Sequence, residues 1–507
     1  MSPSKTTRWR LVFLAALLVC GLWVQQPQLE APLLEGAAGK QTHTAMIARN
    51  LQTGKAVFTR PVIDDIGEPG YFIKEIPLVP QLAAWTSDAT SLSIDTSGRL
   101  LGLMAWLIAS TVFYWGLSLS LPSDKALLAT FWTIFAPLAF AYAPAFQNDT
   151  TAVLLSLGSW LALVYWRRRA DSANTLFAAA LMAAGLSALA LLLKPHVVFW
   201  LAPAAVVLVF GGRDRPAARH WVPLAISGIL GGALASLWYL HAAEIHRTFP
   251  TPGATVTEGW VDFTLLGAPY FWKELARQLG LMVFTPIGLG LTFLGLTRRS
   301  PRNLAEWSLL AWGAGVLLQD LVFATRFSDQ LSHGTEYYNL ALVPVAGLMI
   351  SDGILQIRDR AGRLGPFAVA AAMVALATSS PFLAREARTP PAAYGALLED
   401  CNRVRELSDP GDPFLVFADR AGTILYYCQR RGTTFALGNP DPTRGPPKGP
   451  QVSRSQMDQA ARAAEFAYFP FPDQVQDPAF LASFASQWQE LDMGPSPARL
   501  YRRRNSR

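Results

Sequence analysis

The feature that most restricts this chain is a succession of apolar blocks, each near the length of a lipid-crossing helix. A helix that spans a bilayer needs roughly 20 mainly apolar residues, because lipid offers no partner to an open backbone. Such blocks occupy residues 11–25, 100–121, 126–146, 151–166, 176–193, 197–211, 221–243, 279–296, 304–324, 338–357 and 366–383. Only 16% of the residues are charged, against about 25% in a soluble domain. The expected fold class is therefore an α-helical polytopic membrane protein with about 11 transmembrane helices. The third block carries Pro137 and Pro144 and is expected to kink or split, since proline removes a backbone donor.

Arginine sets the expected orientation. Arg167–Arg169 follow the fourth block, and Arg213, Arg215 and Arg219 the sixth. Arg298, Arg299 and Arg302 follow the eighth, and Arg358, Arg360 and Arg363 the tenth. With the basic N-terminus (Lys5, Arg8, Arg10), these short-loop clusters share one side, which the positive-inside rule assigns to the cytoplasm. The expectation is a multi-pass protein of a bacterial inner (plasma) membrane, N-terminus cytoplasmic and C-terminus periplasmic. The first block reads as a retained helix rather than a cleaved signal peptide, because its exit VQQPQLEAP lacks a small-x-small site. The net charge of +7 is then mostly topological. Arginines dispersed over separate loops make no nucleic-acid footprint.

Four regions fall on the outer face: residues 26–99, a turn at Asp149, residues 244–278, and everything after Arg385. The expected division is a membrane catalytic domain over 1–385 and a small α/β domain over 386–507, with 26–99 and 244–278 as the first and second periplasmic loops. In the outer domain 414–419, 433–438, 467–471 and 498–502 read as strands, and 421–429, 453–464 and 479–491 as helices. GNPDPTRGPPKGP reads as a linker. Strands alternating with helices argue for a parallel or mixed sheet covered by helices. Of three cysteines, Cys20 falls inside the first block and is expected to be buried there. Cys401 and Cys428 share the outer domain, as a disulfide in an oxidising compartment or as two free thiols.

Ionisable groups at membrane depth are costly and mark function or a paired structural role. Asp149 opens the fourth block in AFQNDTT, as a helix cap or as a carboxylate facing a cavity. Lys194 and His196 flank Pro195 at the end of the fifth, where a cation suits a helix C-terminus and also a phosphate. His333, Glu336, Tyr337 and Tyr338 precede the tenth block, as interface anchors or substrate contacts. Lys74 and Glu75 sit just before the apolar IPLVP, which presses the carboxylate toward the bilayer near Asp149. Two carboxylates at a water–lipid boundary suit deprotonation of an acceptor hydroxyl, or a divalent cation held beside a phosphate. Asp64 and Asp65 in IDDIGEPG could serve similarly, but also read as a solvated turn. His241, Glu244 and His246 lack the spacing that puts three ligands on one helical face, and no metal site is expected there. No Walker A loop or dinucleotide fingerprint is present, so a cytosolic nucleotide as the direct substrate is poorly supported.

Order and sidedness then carry a resemblance. A short first span is followed by TAMIARN (44–50), KEIPLVP (74–80), an acid opening the fourth span and Lys194-Pro195. After these come His333 with EYYNLALVP (336–344), and YYCQRRG (426–432). The set resembles the bacterial branch of the GT-C membrane glycosyltransferases, the group related to protein O-mannosyltransferases and lipid A aminoarabinose transferase. It covers nearly the whole chain. It implies an enzyme that takes a sugar from a polyprenyl-phosphate donor and passes it, with inversion, to a periplasmic acceptor: lipid A or lipopolysaccharide, another glycan, or a protein. It also implies a catalytic carboxylate in the first outer loop. Many relatives carry an aspartate just before TA-x-x-ARN, where this chain reads Gln41-Thr42-His43. The expected catalytic pair is therefore Glu75 with Asp149, while Lys74 or Lys194 contacts the donor phosphate. Arg49, His196, His333, Glu336, Tyr337, Tyr338 and His43 complete the expected substrate site, His43 also as a replacement base. The rival reading is a transporter or flippase for lipid-linked sugars with no chemistry of its own. Its charge would lie near the midplane, whereas the ionisable groups here cluster at one surface, apart from Asp320 and Asp352 near the ends of two spans.

Overall fold

A computed structural model describes residues 5–169, 172–211, 221–249, 263–297, 302–324, 336–390, 394–418, 421–435, 461, 464–470 and 486–504. Each apolar block is helical. α1 (Lys5–Gln25) leads into the polar first loop, which holds two helices of its own, α2 (Ala38–Gln52) and α3 (Leu78–Thr90). α4 (Ile94–Ser118) starts under a Ser93 cap, whose Oγ accepts from the Thr96 amide at 3.1 Å. The third block splits as its prolines predict: α5 (Ser123–Phe135) stops at extended Ala136, and α6 (Pro137–Tyr142) restarts with Pro137 in its first turn. α7 (Asp149–Arg169), α8 (Ala173–Leu193), α9 (Val198–Phe210) and α10 (Trp221–Thr248) follow.

The short helices α11 (Phe263–Leu266) and α12 (Pro269–Arg277) run through a π-helical turn, Gln278–Val283, into α13 (Thr285–Leu296), with an 87° bend at the break. α14 (Leu304–Val322) opens with a capping box between Asn303 and Glu306. A 3-10 stretch, Glu336–Leu342, then leads into α15 (Val343–Ala361) and α16 (Gly365–Arg388). Among the described residues, Arg8–Gln28, Ile94–Ser118, Asn174–Leu193, Leu224–Thr248 and Glu336–Arg388 are long and apolar enough to cross a membrane, and the bent pair around α13 makes a sixth if taken as one span. The architecture is that of an α-helical polytopic membrane protein with a small C-terminal sheet. Helices meet closely where glycine allows it. A Cβ at Gly353 of α15 would lie 1.9 Å from the Leu291 carbonyl oxygen of α13.

Charge sorts to the two ends of the bundle. α7 has Asp149 at one end and Arg167–Arg169 at the other, about 30 Å away at the helical rise. At the arginine end, Arg10 bonds the Ser123 hydroxyl (3.0 Å), Arg168 the Leu119 carbonyl (3.0 Å) and Arg358 the Asp124 carboxylate (2.6 Å). There the buried Lys125 ammonium joins Glu306 and Asp352, each at 2.5 Å, tying the starts of α5 and α14 to α15. Asp352 is thus paired at that end, where its place near the end of a span puts it.

The C-terminal part begins with α17 (Leu397–Leu407) and continues through β1 (Pro413–Phe417), α18 (Ala421–Cys428), β2 (Arg431–Phe435), β3 (Phe466–Phe469), β4 (Trp488–Leu491) and β5 (Arg499–Arg503). The sheet order is β2-β1-β3-β5-β4, parallel over the first three strands and antiparallel over the last three, a mixed sheet. Residues 488–491, expected to close a helix, form β4 instead, because the open edge of β5 pairs with them. Almost all of the expected helix over 453–464, and 479–485 of the next, lie outside the described residues. Cys401 and Cys428 form a disulfide that joins α17 to α18. Cys20 is a free thiol exposed on α1 rather than buried, on a face of that helix left open among the described residues.

Candidate functional site

Three chain breaks build the site. α8 stops at Leu193 because Pro195 cannot continue it, and the residue before proline is held extended, with Lys194 at φ −155° and ψ 104°. α6 ends at Tyr142, and a turn delivers Asn148 and Asp149 to the start of α7, with the Phe146 amide donating to the Gln41 side chain at 2.9 Å. The first loop is strapped to the end of α8 by the Ile76 amide, which donates to the Leu192 carbonyl at 3.0 Å. That strap sets Glu75 beside Lys194.

Lys194 Nζ lies 2.6 Å from Glu75 Oε1 and 3.6 Å from Asp149 Oδ2. Lys40 Nζ, from the first turn of α2, lies 2.6 Å from the same Asp149 oxygen. Two ammonium groups therefore converge on one carboxylate oxygen. Asn148 donates to the other oxygen of Glu75 at 3.4 Å. Lys40 also stands 3.8 Å from the centre of the Tyr337 ring and 5.7 Å from that of Tyr338, in cation–π contact. The Lys194 and Asp149 side chains are 3% and 6% exposed, whereas Glu75 is at 27% and Lys40 at 24%. Burial pushes the Lys40 ammonium down to about 7; Lys194 adds to the drop, while Asp149 and Glu75 oppose it. Burial also works against the Glu75 carboxylate, but the Lys194 and Lys40 charges outweigh it and hold Glu75 below the usual range. A pocket of about 210 Å³ opens here, lined by Asp149, Lys194, His196, Trp200, Tyr337 and Tyr338 among others.

The remaining sequence-nominated residues divide. His196 packs its ring on Tyr338 and on Trp200, each at 5.4 Å. Buried Glu336 accepts from the Tyr142 hydroxyl (2.9 Å) and from Arg277 (2.6 Å), which is also held by Glu274 (2.6 Å). Lys74 places its ammonium 4.7 Å from the centre of the Phe72 ring. Arg49 is bonded to Asp64 (2.8 Å) and to the Tyr426 carbonyl (2.9 Å), and His43 to Asp65 (2.7 Å). Asp64 and Asp65 are each 6% exposed, not a solvated turn, because α2 and β2 enclose them. His333 lies outside the described residues. His241 and His246 meet the carbonyls of Thr59 (2.8 Å) and Ile73 (2.6 Å), fastening α10 to the first loop. Among the described residues no three His, Cys, Asp or Glu side chains are placed to hold a metal. Sequence reasoning missed Lys40, Asn148, Tyr142 and Arg277. One signal was available for Lys40: a cation in the first turn of a helix opposes the dipole and calls for an anion beside it.

No protein-family profile matches the chain, and no curated protein matches it by sequence. Solved structures do. ArnT from Cupriavidus metallidurans in the apo state superposes with a TM-score of 0.69, covering 98% of both chains at 13% identity. The same protein bound to undecaprenyl phosphate gives 0.68, again over 98% of both chains, at 14% identity. The archaeal oligosaccharyltransferase AglB from Archaeoglobus fulgidus, in complex with an inhibitory peptide and a dolichol-phosphate, gives 0.51 at 14% identity, over 92% of this chain and 70% of that one. These neighbours are GT-C glycosyltransferases. The chain shares the fold of these structures.

Proposed function

We propose that this chain is an integral-membrane glycosyltransferase that moves a sugar from a polyprenyl-phosphate donor to an acceptor on the outer face of the membrane. The observation that carries the reading is the convergence of Lys40 and Lys194 on one oxygen of Asp149, at the end of the bundle opposite the arginines. Two cations that share one carboxylate oxygen form a cradle that a phosphate can enter by displacing it. Structures of the same fold that hold undecaprenyl phosphate and dolichol phosphate support a lipid phosphate as the occupant.

In the proposed step the acceptor oxygen attacks the anomeric carbon. The bond from that carbon to the phosphate oxygen breaks, and its electron pair leaves on the polyprenyl phosphate, stabilised by Lys40 and Lys194. Glu75, the more exposed carboxylate, takes the proton of the acceptor hydroxyl, while Asp149 keeps both lysines in register. His196, Tyr337 and Tyr338 wall the sugar side. The reading includes a bacterial inner membrane, a cytoplasmic N-terminus, a membrane catalytic domain over 1–385 and a periplasmic domain over 386–507. The acceptor classes are lipid A or lipopolysaccharide, another glycan, or a protein.

The test is release of free undecaprenyl phosphate from undecaprenyl-phosphate sugars by the full-length protein in nanodiscs, with lipid A, a glycan or a protein supplied in turn as the acceptor. Glu75→Gln and Asp149→Asn should each abolish release while the protein still inserts and folds. Full activity in both rejects the assignment, and a wild-type chain that carries the donor across the bilayer intact establishes the flippase reading.

A further inference from the structure

α18 lies outside the pocket lining, yet it is packed on α2, the helix that presents Lys40. The Thr423 hydroxyl bonds that of Thr42 at 3.2 Å. The Tyr426 carbonyl accepts from Arg49, whose guanidinium stands 4.8 Å from the centre of the Tyr426 ring. Tyr426 and Tyr427 both donate to Asp95 at the start of α4. Beside α18, the first loop runs along the edge strand β2: the Gly432 amide donates to the Asp64 carbonyl (2.8 Å), Gly67 to Gly432 (3.0 Å), and the Thr434 hydroxyl to the Asp65 carbonyl (3.2 Å). The Asp64 and Asp65 side chains then grip Arg49 and His43 of α2. The Cys401–Cys428 disulfide anchors the far end of α18. The tightest point is Gly422, where a Cβ would fall 2.3 Å from Asp65 Oδ2 and 2.8 Å from His43 Nε2.

α2 has 15 residues, and a helix of that length is marginal without tertiary contacts. Its first turn meets α7 and the turn before it through Lys40 on Asp149 (2.6 Å) and Gln41 on the Phe146 amide (2.9 Å). A shift of about 1 Å would carry Lys40 Nζ past hydrogen-bond range. We propose that the C-terminal sheet and its disulfide-anchored helix α18 set the place of Lys40, which makes them a working part of the donor site. Gly422, Thr423, Arg49 and Asp64 are its positioning residues. The proposal rests on the reading that Lys40 holds the donor phosphate.

The test is a double-mutant cycle on the affinity of the full-length protein in nanodiscs for undecaprenyl phosphate. Lys40→Met should weaken binding about 30-fold or more, and Gly422→Ala about tenfold. In the Lys40→Met background Gly422→Ala should cost nothing further, because both act on one contact. His43→Ala added to Gly422→Ala gives the Asp65 carboxylate, the group nearest the new methyl, room to move away and should restore part of the affinity. Thr423→Val, which removes only a hydroxyl, supplies a second, milder probe in the same two backgrounds. Wild-type affinity in both Gly422→Ala and Thr423→Val, or equal losses with and without Lys40, overturns the proposal. Wild-type affinity in Lys40→Met overturns the donor-site reading of Lys40 instead.

Discussion

Replacing Lys40 by methionine keeps an apolar stem of similar length and deletes the ammonium. In the free protein burial and Lys194 push the Lys40 ammonium down to about 7, against the pull of Asp149 and Glu75. A bound phosphate places negative charge against it. One opposite charge at 4 Å is worth about 4 kcal/mol at an effective dielectric near 20, or roughly three pKa units as an upper bound. The sign follows from linkage: a base whose pKa rises on binding takes up a proton as the ligand binds, so affinity falls as pH climbs between the two values. Affinity for undecaprenyl phosphate should therefore drop by up to about tenfold per unit from about pH 7 to about pH 9. Below about pH 6 the phosphate's own second ionisation complicates the reading, so titrations should start above it. In Lys40→Met the slope should vanish, and affinity at pH 7 should be about 100-fold weaker. Native mass spectrometry of nanodisc complexes across this range supplies both quantities. The same slope in the variant, or none in the wild type, refutes the reasoning.

Other consequences are as direct. Lys194→Met leaves Glu75 and Asp149 without the buried cation they share, and breaking a buried pair costs about 3–5 kcal/mol; thermal unfolding should shift down and donor binding should disappear, so an unchanged midpoint would contradict the pairing. Tyr337→Leu removes the ring 3.8 Å from Lys40, worth about 1–2 kcal/mol, and should weaken binding at pH 7 about tenfold. Tyr338→Leu, 5.7 Å away, should cost less, and the opposite ranking would count against the geometry. Gly353→Ala would place a methyl 1.9 Å from a backbone oxygen, and overpacking of about 1–3 kcal/mol or more should reduce the yield of folded protein in size-exclusion chromatography. Wild-type yield would disprove the close approach of α13 and α15.

The membrane helices could be read from the sequence because their cause is local. A block of apolar residues has one stable arrangement in lipid, and Pro137 breaks the third block by chemistry contained in the residue itself. Asp149 and Lys194 were also within reach, since helix ends place them at one end of the bundle. For Lys40 the need of an anion could be read from its place in the first turn of a helix, but not which one, because its partner lies 109 positions away and no periodicity reports a contact of that range. Asp64 and Asp65 misled in the other direction. Gly67 and Pro69 mark a turn that water could solvate, and only the pairing with β2 buries it. The strand at Trp488–Leu491 has the same origin, a partner edge in β5 that overrides helical preference. Two cysteines 27 positions apart in sequence allowed a bridge, but their proximity follows from α17 and α18 packing together.

The most direct test of the central claim is a cryo-electron-microscopy structure of the full-length chain in nanodiscs with undecaprenyl phosphate. The account predicts phosphate oxygens within hydrogen-bond reach of both Lys40 Nζ and Lys194 Nζ, about 2.7–3.2 Å, with Asp149 Oδ2 displaced from at least one of them. A phosphate seated elsewhere, with Lys40 still on Asp149 and Lys194 still on Glu75, would contradict it.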